Sequence, residues 1–155
     1  MQSPQTEQLP LHILYYNDPD LARLLASPED FAPLGGAFTP DHIVYCKARF
    51  MFLDGQDVQD CVKRLPAQRS EFFAKYGYAP RVICARGIGA FCCADTAPEA
   101  ENALALLKDA VKIAVYSRSF GGPRHLSAEL TDFISNWEIE SYRQKVALSA
   151  TKERS

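Results

Sequence analysis

The sequence lacks the short motifs by which metal sites, disulfide frameworks and membrane segments are recognised. Its three histidines (His12, His42, His125) form no HxH or HExxH pair, and its five cysteines show no CxxC spacing. No run approaches the roughly 20 apolar residues of a membrane span, and the start of the chain lacks the basic and apolar regions of a secretion signal. These features predict a cytoplasmic protein with no local zinc motif and no membrane partner.

The charge balance is also unremarkable, because 17 basic and 19 acidic residues give a net charge of −2. A nucleic-acid-binding domain usually carries a basic excess, so the sequence predicts no nucleic-acid partner. With 47% apolar residues and a length of 155 residues, the chain fits one compact domain with a single core.

The cysteines stand mainly inside apolar runs such as RVICA and AFCCA, a setting typical of buried, reduced thiols. An alternative is that Cys92 or Cys93 is a catalytic nucleophile, with His42 or His125 as a distant base. No neighbouring base is visible in the sequence, so the buried-thiol interpretation is favoured.

Local signals predict several helices. Asp18 and Ser27 can cap short helices that begin at Pro19 and Pro28. TAPE, from Thr96, has the form of a capping box and predicts a long helix through Tyr116. Apolar residues at helical spacing predict an amphipathic helix over 57–76, kinked or split at Pro66. A last helix or helical pair follows Ser127.

Two segments predict strands. PRVICARGIGAFCCAD, over 80–95, is typical of a tight β-hairpin, and HIVYCKARFMFL, over 42–53, is rich in β-branched and aromatic residues and predicts a strand with a bulge near Lys47. LHILYY, over 11–16, is compatible with a strand or a lead-in to a helix. We therefore expect an α/β fold: a single compact domain over 11–150, with a small central β-sheet packed by about four to five α-helices, a flexible tail over 1–10 and a frayed tail over 151–155.

The start of the second strand segment supplies the first candidate site, Asp41, His42 and Lys47. A histidine at the rim of a sheet can exchange a proton near neutral pH, and a lysine can bind a phosphate. The alternative is structural, with Asp41 capping a turn and Lys47 facing solvent. If His42 lies at the rim, its replacement by alanine should shift the melting temperature by no more than a few degrees.

The turn Arg86-Gly87-Ile88-Gly89 supplies the second candidate, because glycines let backbone N–H groups approach an anion. The turn lacks the third glycine of a dinucleotide fingerprint, and the following AFCCA favours a strand over a helix. A plain hairpin turn is thus the favoured interpretation. Taken together, Asp41, His42, Lys47, Arg86, Gly87 and Gly89 would bind a phosphorylated or carboxylated metabolite if they converge in one concave site.

The order of several segments resembles a known family. DPDLARLLASPEDFAPLGGAFTPDHIVYCKARFMFLD, then PRVICARGIGAF, APEAENALALLKDAVKIAVYS and LSAELTDFISNWEIESYRQKVA, are similar to the C-terminal portion of the class II aldolase part of bifunctional aldolase/short-chain dehydrogenase proteins. Those proteins are typified by rhamnulose-1-phosphate aldolase fused to a dehydrogenase. The resemblance spans residues 17 to 147.

The resemblance implies zinc-assisted cleavage of a ketose phosphate in the family, with zinc held by an HxH pair and a further histidine. The chain lacks those ligands and the dinucleotide motif, so zinc and NAD are expected only in the rest of the family's proteins and no cofactor is expected here. Pro40, Asp41, His42 and Lys47 match the family's PDH-then-lysine pattern. We accordingly expect an accessory domain, non-catalytic by itself, whose partners are aldolase or dehydrogenase domains of a parent or partner protein, or a second copy of the chain.

Overall fold

The computed structural model describes residues 9–10 and 12–152 of the chain. The elements follow in the order β1 (His12–Tyr16), α1 (Pro19–Leu24), α2 (Pro28–Phe31), α3 (Pro40–Cys46), β2 (Met51–Leu53), α4 (Val58–Tyr76), β3 (Val82–Ala85), β4 (Gly89–Ala94), α5 (Ala97–Tyr116) and α6 (Ala128–Lys152). Short 3-10 helices occupy Ala32–Leu34 and Ser117–Phe120. The parts of the predicted tails at 1–8 and 153–155 lie outside the described residues.

The four described strands form one mixed sheet in the order β1-β4-β3-β2. The predicted hairpin is confirmed, since β3 and β4 pair antiparallel with Val82 opposite Cys92. β1 pairs antiparallel with β4, so residues 12–16 of the segment predicted as a strand or a helix lead-in form a strand, and β2 pairs parallel with β3. The α/β prediction is thus confirmed.

The two faces of the sheet are covered by different helices. Because side chains alternate along a strand, Val82 and Cys84 of β3 join the larger core with Leu21, Leu24 and Leu107, contributed by α1 and α5. Ile83 and Ala85 point the other way and pack in a smaller core with Cys61 and Phe72 of α4. The domain therefore has three layers, with α4 alone on its own face among the long helices.

Helix ends follow the capping signals. Thr96 Oγ1 accepts from the Glu99 backbone N–H at 3.4 Å, and Asp57 Oδ1 accepts from the Asp60 N–H at 2.8 Å, so α5 and α4 begin close to where the sequence predicts. Pro66 lies inside α4, which runs as one element to Tyr76. The six described α-helices exceed the predicted four to five, because the chain between β1 and β2 folds into three short helices.

The strand predicted over 42–53 is the main error. Pro40–Cys46 is helical, and only Met51–Leu53 at the end of the segment is a strand. Thr39 is the helix N-cap, its hydroxyl accepting from the His42 N–H, and Pro40 fills the first turn, where a missing N–H costs nothing. His42, Ile43 and Cys46 then share one buried face at helical spacing, and this burial overrides the β preference of the residue types.

Candidate functional site

His42 is a buried residue of α3, with 2% of its surface exposed, which corrects the expectation that it lies at a rim. Its Nδ1 accepts a hydrogen bond from the Phe38 backbone N–H at 3.2 Å, so the ring proton of the neutral imidazole is on Nε2. Burial lowers the pKa of His42, against the opposing pull of the Asp109 and Asp41 carboxylates. The ring thus closes the first turn of α3 as a neutral, hydrogen-bonded group.

Lys47 ends α3 in the left-handed region, with a φ of 64°. Its Nζ forms an ion pair with Glu138 Oε1 at 3.3 Å and so ties the end of α3 to α6. His42 and Lys47 line the same cavity, but its volume is about 10 Å³, roughly the space of one water molecule. Asp41 is exposed in the first turn of α3. The cavity beside His42 and Lys47 is therefore too small to hold a metabolite.

The Arg86 to Gly89 turn is anchored by internal contacts. Arg86 donates from Nε to the Ala26 carbonyl and from Nη1 to Asp54 Oδ1, both at 3.1 Å. The Gly87 N–H donates to the Leu25 carbonyl at 3.2 Å. Among the described residues no hydrogen bond or ion pair joins this turn to His42 or Lys47. The structure therefore places the predicted site residues in two separate groups.

All five cysteines are buried and free. Burial raises the pKa of Cys46 and Cys92 to about 12 and also raises the pKa of Cys93. Because the thiolate is the nucleophilic form, these positions are poor candidates for covalent catalysis. The prediction that the thiols are buried is confirmed.

Two adjoining grooves open beside α4, and neither is evident from the sequence. The α4 groove, of about 630 Å³, lies between α4 and the chain around β2, and Arg49, Asp54, Arg64 and Gln68 are among its polar lining residues. The α6 groove, of about 530 Å³, lies between the end of α4 and the first half of α6. The residues common to both are Gly35, Arg49, Lys75 and Tyr76.

An aromatic cluster flanked by cations begins at the wall that the two grooves share. Tyr76 and Tyr78 stack with ring centroids 6.2 Å apart. Arg49 Cζ lies 5.7 Å and Lys75 Nζ 5.1 Å from the Tyr76 centroid, within the range of cation–π attraction. In the sequence only KYGY, at the end of α4, indicates this cluster, because Arg49 comes from a distant segment.

The fold formed by this sheet and its helices is similar to that of solved structures of aldolases. A solved structure of L-fuculose 1-phosphate aldolase is similar with a TM-score of 0.61 and 14% identity, over 85% of this chain and 57% of that one. An aldolase II superfamily protein from Pseudomonas syringae is similar with a TM-score of 0.54 and 16% identity, over 92% of this chain and 56% of that one. The chain spans little more than half the length of either structure.

Comparison of the sequence with known families and curated proteins found no relative. No protein-family model matches the chain, and no curated protein matches it. At 14–16% identity the likeness to solved structures concerns the fold alone.

The sequence resemblance to class II aldolases implies zinc in that family, so clusters of possible metal ligands are of interest here. Within residues 9–10 and 12–152, no three histidine, cysteine or acidic side chains lie close enough together to hold a metal ion. In the same part of the chain, no helix combines the length and apolarity that a membrane crossing requires.

The environment of His42 predicts a structural role that can be measured. His42→Ala removes a buried ring and leaves the Phe38 N–H without its acceptor, so we expect a loss of about 2 kcal/mol in the free energy of unfolding. The lowered pKa keeps the folded histidine neutral, whereas the unfolded chain takes up a proton below about pH 6.5. This contribution to stability is thus present above that pH and is lost as the pH falls through it.

Urea unfolding between pH 5 and 8 tests both parts, with exposed His12→Ala as the control. The control should keep the stability of the parent chain. An H42A chain as stable as the control at pH 7, or with an unchanged pH dependence, would contradict the structural role.

Proposed function

We propose that the chain is an accessory domain of a class II aldolase-like sugar-phosphate enzyme, non-catalytic by itself, which packs against an aldolase or dehydrogenase domain of a parent or partner protein. The proposal places it in the cytoplasm, in keeping with five free cysteines, and assigns it no cofactor. The fold likeness supports the superfamily context, and the feature that carries the accessory role is an exposed apolar stripe on α6.

The stripe consists of Leu130, Phe133, Trp137 and Leu148. Phe133 and Trp137 are 69% and 61% exposed, and Leu130 and Leu148 also face solvent. Their spacing places them on one side of the helix, and the distance from 130 to 148 corresponds to about 27 Å at 1.5 Å per residue. Large aromatic side chains are enriched in protein interfaces and often dominate their energetics.

The other side of α6 packs against the domain, which leaves the stripe exposed to solvent. Thr131, Ser135 and Glu138 are half-buried, and the Lys47–Glu138 ion pair fixes this side of the helix to α3. The stripe therefore faces away from the domain. A stable interface buries about 800 Å² per partner. An aldolase or dehydrogenase domain is large enough to cover such an area.

The catalytic part of the proposal is tested by an aldol-cleavage assay. The purified chain, supplied with zinc and either L-fuculose 1-phosphate or rhamnulose 1-phosphate, should release no dihydroxyacetone phosphate. Sustained turnover that disappears when the chain is omitted from the assay would overturn the non-catalytic role.

The interface part uses Trp137, the single tryptophan of the chain. Its fluorescence should report a solvent-exposed indole in the isolated chain and shift to shorter wavelength when an aldolase or dehydrogenase partner domain is added. Phe133→Ser should weaken this binding, whereas Val62→Ser, an exposed apolar residue of α4, should not. A shift that depends only on the chain's own concentration would assign the stripe to a second copy and contradict the proposed partner.

A further inference from the structure

We propose that the chain forms a two-fold symmetric dimer through the α4 side of its sheet. The contact surface consists of Ile13 and Tyr15 on β1 and of Val58, Val62 and Phe73 on α4, and we call it the α4–β1 surface. The proposal goes beyond the accessory role, because no residue of α6 belongs to this surface.

On the α4 side, the half of the sheet at β1 has no covering helix among the described elements. β1 pairs with β4 so that Ile13 lies opposite Cys93 and Tyr15 opposite Phe91, and the side chains of such pairs point to the same face. Cys93 and Phe91 belong to the smaller core beneath α4. Ile13 and Tyr15, however, are more than half exposed. The cover that α4 provides therefore ends between β4 and β1.

The widths of the elements explain this gap. Neighbouring strands lie about 4.8 Å apart, whereas a helix with its side chains is about 10 Å wide. One helix thus covers about two strands, and α4 is the only described helix that contributes to the smaller core. Over β4 and β1 there is consequently room for one further helix.

The flank of α4 that borders the gap follows from its neighbours. Arg64 and Gln68 line the α4 groove, which opens towards β2, and helical spacing places Arg69 on the other flank. Burial raises the pKa of the Cys93 thiol of β4, and the Arg69 charge opposes that rise. The flank that carries Arg69 therefore lies towards β4, on the side of the gap.

This flank of α4 is apolar and exposed. Val58, Val62 and Phe73 share it at helical spacing, and all three side chains are exposed to solvent. Together with the two exposed residues of β1, they surround one gap with large apolar side chains. Contiguous exposed apolar surface of this kind marks interaction sites in soluble proteins.

The occupant that fits the gap is α4 of a second copy. Two sheets that face each other can share one layer of two helices, in which the outer side of each α4 packs on β4 and β1 of the partner. Ala67, Ser70 and Ala74 are small, exposed residues on that outer side, so the partner's sheet can approach closely. The same surface is used by both copies, as in most homodimers.

The shared layer is large enough for a stable dimer. α4 has 19 residues, which corresponds to a length of about 28 Å, and two helices side by side are about 20 Å wide. The layer therefore covers on the order of 560 Å² in projection. This is close to the roughly 800 Å² of accessible surface that each partner buries in a standard interface, because accessible area exceeds projected area.

The symmetry determines which residues meet. The two-fold axis must exchange both the two sheets and the two helix positions, so it runs parallel to the helices and midway between them. The helices are then parallel, and each residue along their line of contact faces its own copy. Val62 accordingly contacts the partner's Val62.

Sedimentation velocity of the purified chain over about 5 to 200 µM tests the dimer. We expect reversible dimerisation with a Kd on the order of 10 µM. Val62→Glu and Val62→Lys should each raise the Kd by at least about tenfold, because two like charges then meet. An equimolar mixture of V62E and V62K should dimerise with a Kd within about threefold of the parent value, since opposite charges face each other in the mixed pair.

Phe120→Glu is the matched control, because Phe120 is exposed and follows α5, which packs in the larger core on the other face of the sheet. It should leave the Kd unchanged. Val62 is 66% exposed, so urea unfolding at about 1 µM, where the chain is monomeric, should give its variants the midpoint of the parent chain. Val58, one turn earlier on the same flank, supplies a second Glu and Lys pair with the same expected results.

The dimer proposal is overturned if the chain stays monomeric up to about 200 µM, if V62E and V62K dimerise as well as the parent, if their mixture does not recover the dimer, or if F120E weakens it equally. Trp137 lies on α6, outside the α4–β1 surface, so its fluorescence should not change on dimerisation. A change would place the contact on α6 and overturn the proposed surface. A monomeric chain leaves the accessory role untouched, so the two proposals fail separately.

Discussion

Ile43→Asp should leave the chain unfolded under native conditions. Ile43 is 1% exposed on the inner face of α3, so an aspartate there would have to bury its carboxylate. Burying an unpaired carboxylate, together with the lost apolar contact, costs several kcal/mol against a total stability of about 5 to 15 kcal/mol. Circular dichroism and urea titration should show no cooperative unfolding transition, or one at a much lower urea concentration.

Val44→Asp is the matched comparison, since Val44 is the next residue of the same helix and is only half-buried. Its carboxylate can reach water, so we expect a loss of about 1 kcal/mol, mainly from helix propensity and partial burial. The pair tests the burial pattern of α3, in which Ile43 is buried and its neighbour Val44 is only half-buried. Equal destabilisation of I43D and V44D would contradict this burial pattern.

Gly89→Ala is the second change expected to have a large effect. An alanine Cβ at position 89 would lie 2.7 Å from Tyr15 Cε2 and 2.8 Å from the Tyr16 carbonyl oxygen, at a φ of 144° that L residues rarely adopt. The carbonyl cannot move freely, because β1 and β4 pair here with Tyr16 opposite Ala90. We expect a loss of about 3 kcal/mol from the steric overlap and the backbone strain together.

Gly87→Ala separates these two causes. Gly87 also has a positive φ, of 68°, but a Cβ there would meet nothing within 4 Å. It should cost about 1 kcal/mol, the usual penalty for an L residue in the left-handed region. Thermal unfolding of both variants checks the difference, and a G87A chain as unstable as G89A would mean that strand packing at Tyr15 is not the cause.

Local signals in the sequence are sufficient for much of the fold. The caps at Asp57 and Thr96 and the apolar spacing that follows them predict α4 and α5, and the two apolar runs around Gly87 predict the hairpin. The error at 42–53 has a physical source. β-branched and aromatic residues favour strands only when nothing stronger competes, and here the Thr39 cap and the buried face of α3 compete successfully.

The two grooves beside α4 are harder to predict, because they depend on long-range packing. Arg49, Lys75 and Tyr78 meet only when the chain before β2 packs beside the end of α4. Thr131 and Asn136 join them from a helix more than 50 residues further along the chain. In contrast, His42 and Lys47 lie close together in the sequence, yet their polar groups are engaged in hydrogen bonding and ion pairing within the domain.

The order of the strands gives the sheet two unequal edges. β2 forms one edge with three residues, a length that offers a foreign strand few backbone groups, and natural proteins commonly protect sheet edges in this way. β1 forms the other with five residues, and its Ile13 and Tyr15 side chains are more than half exposed. Backbone pairing with another extended peptide, whether a functional strand addition or the start of aggregation, would therefore occur along β1.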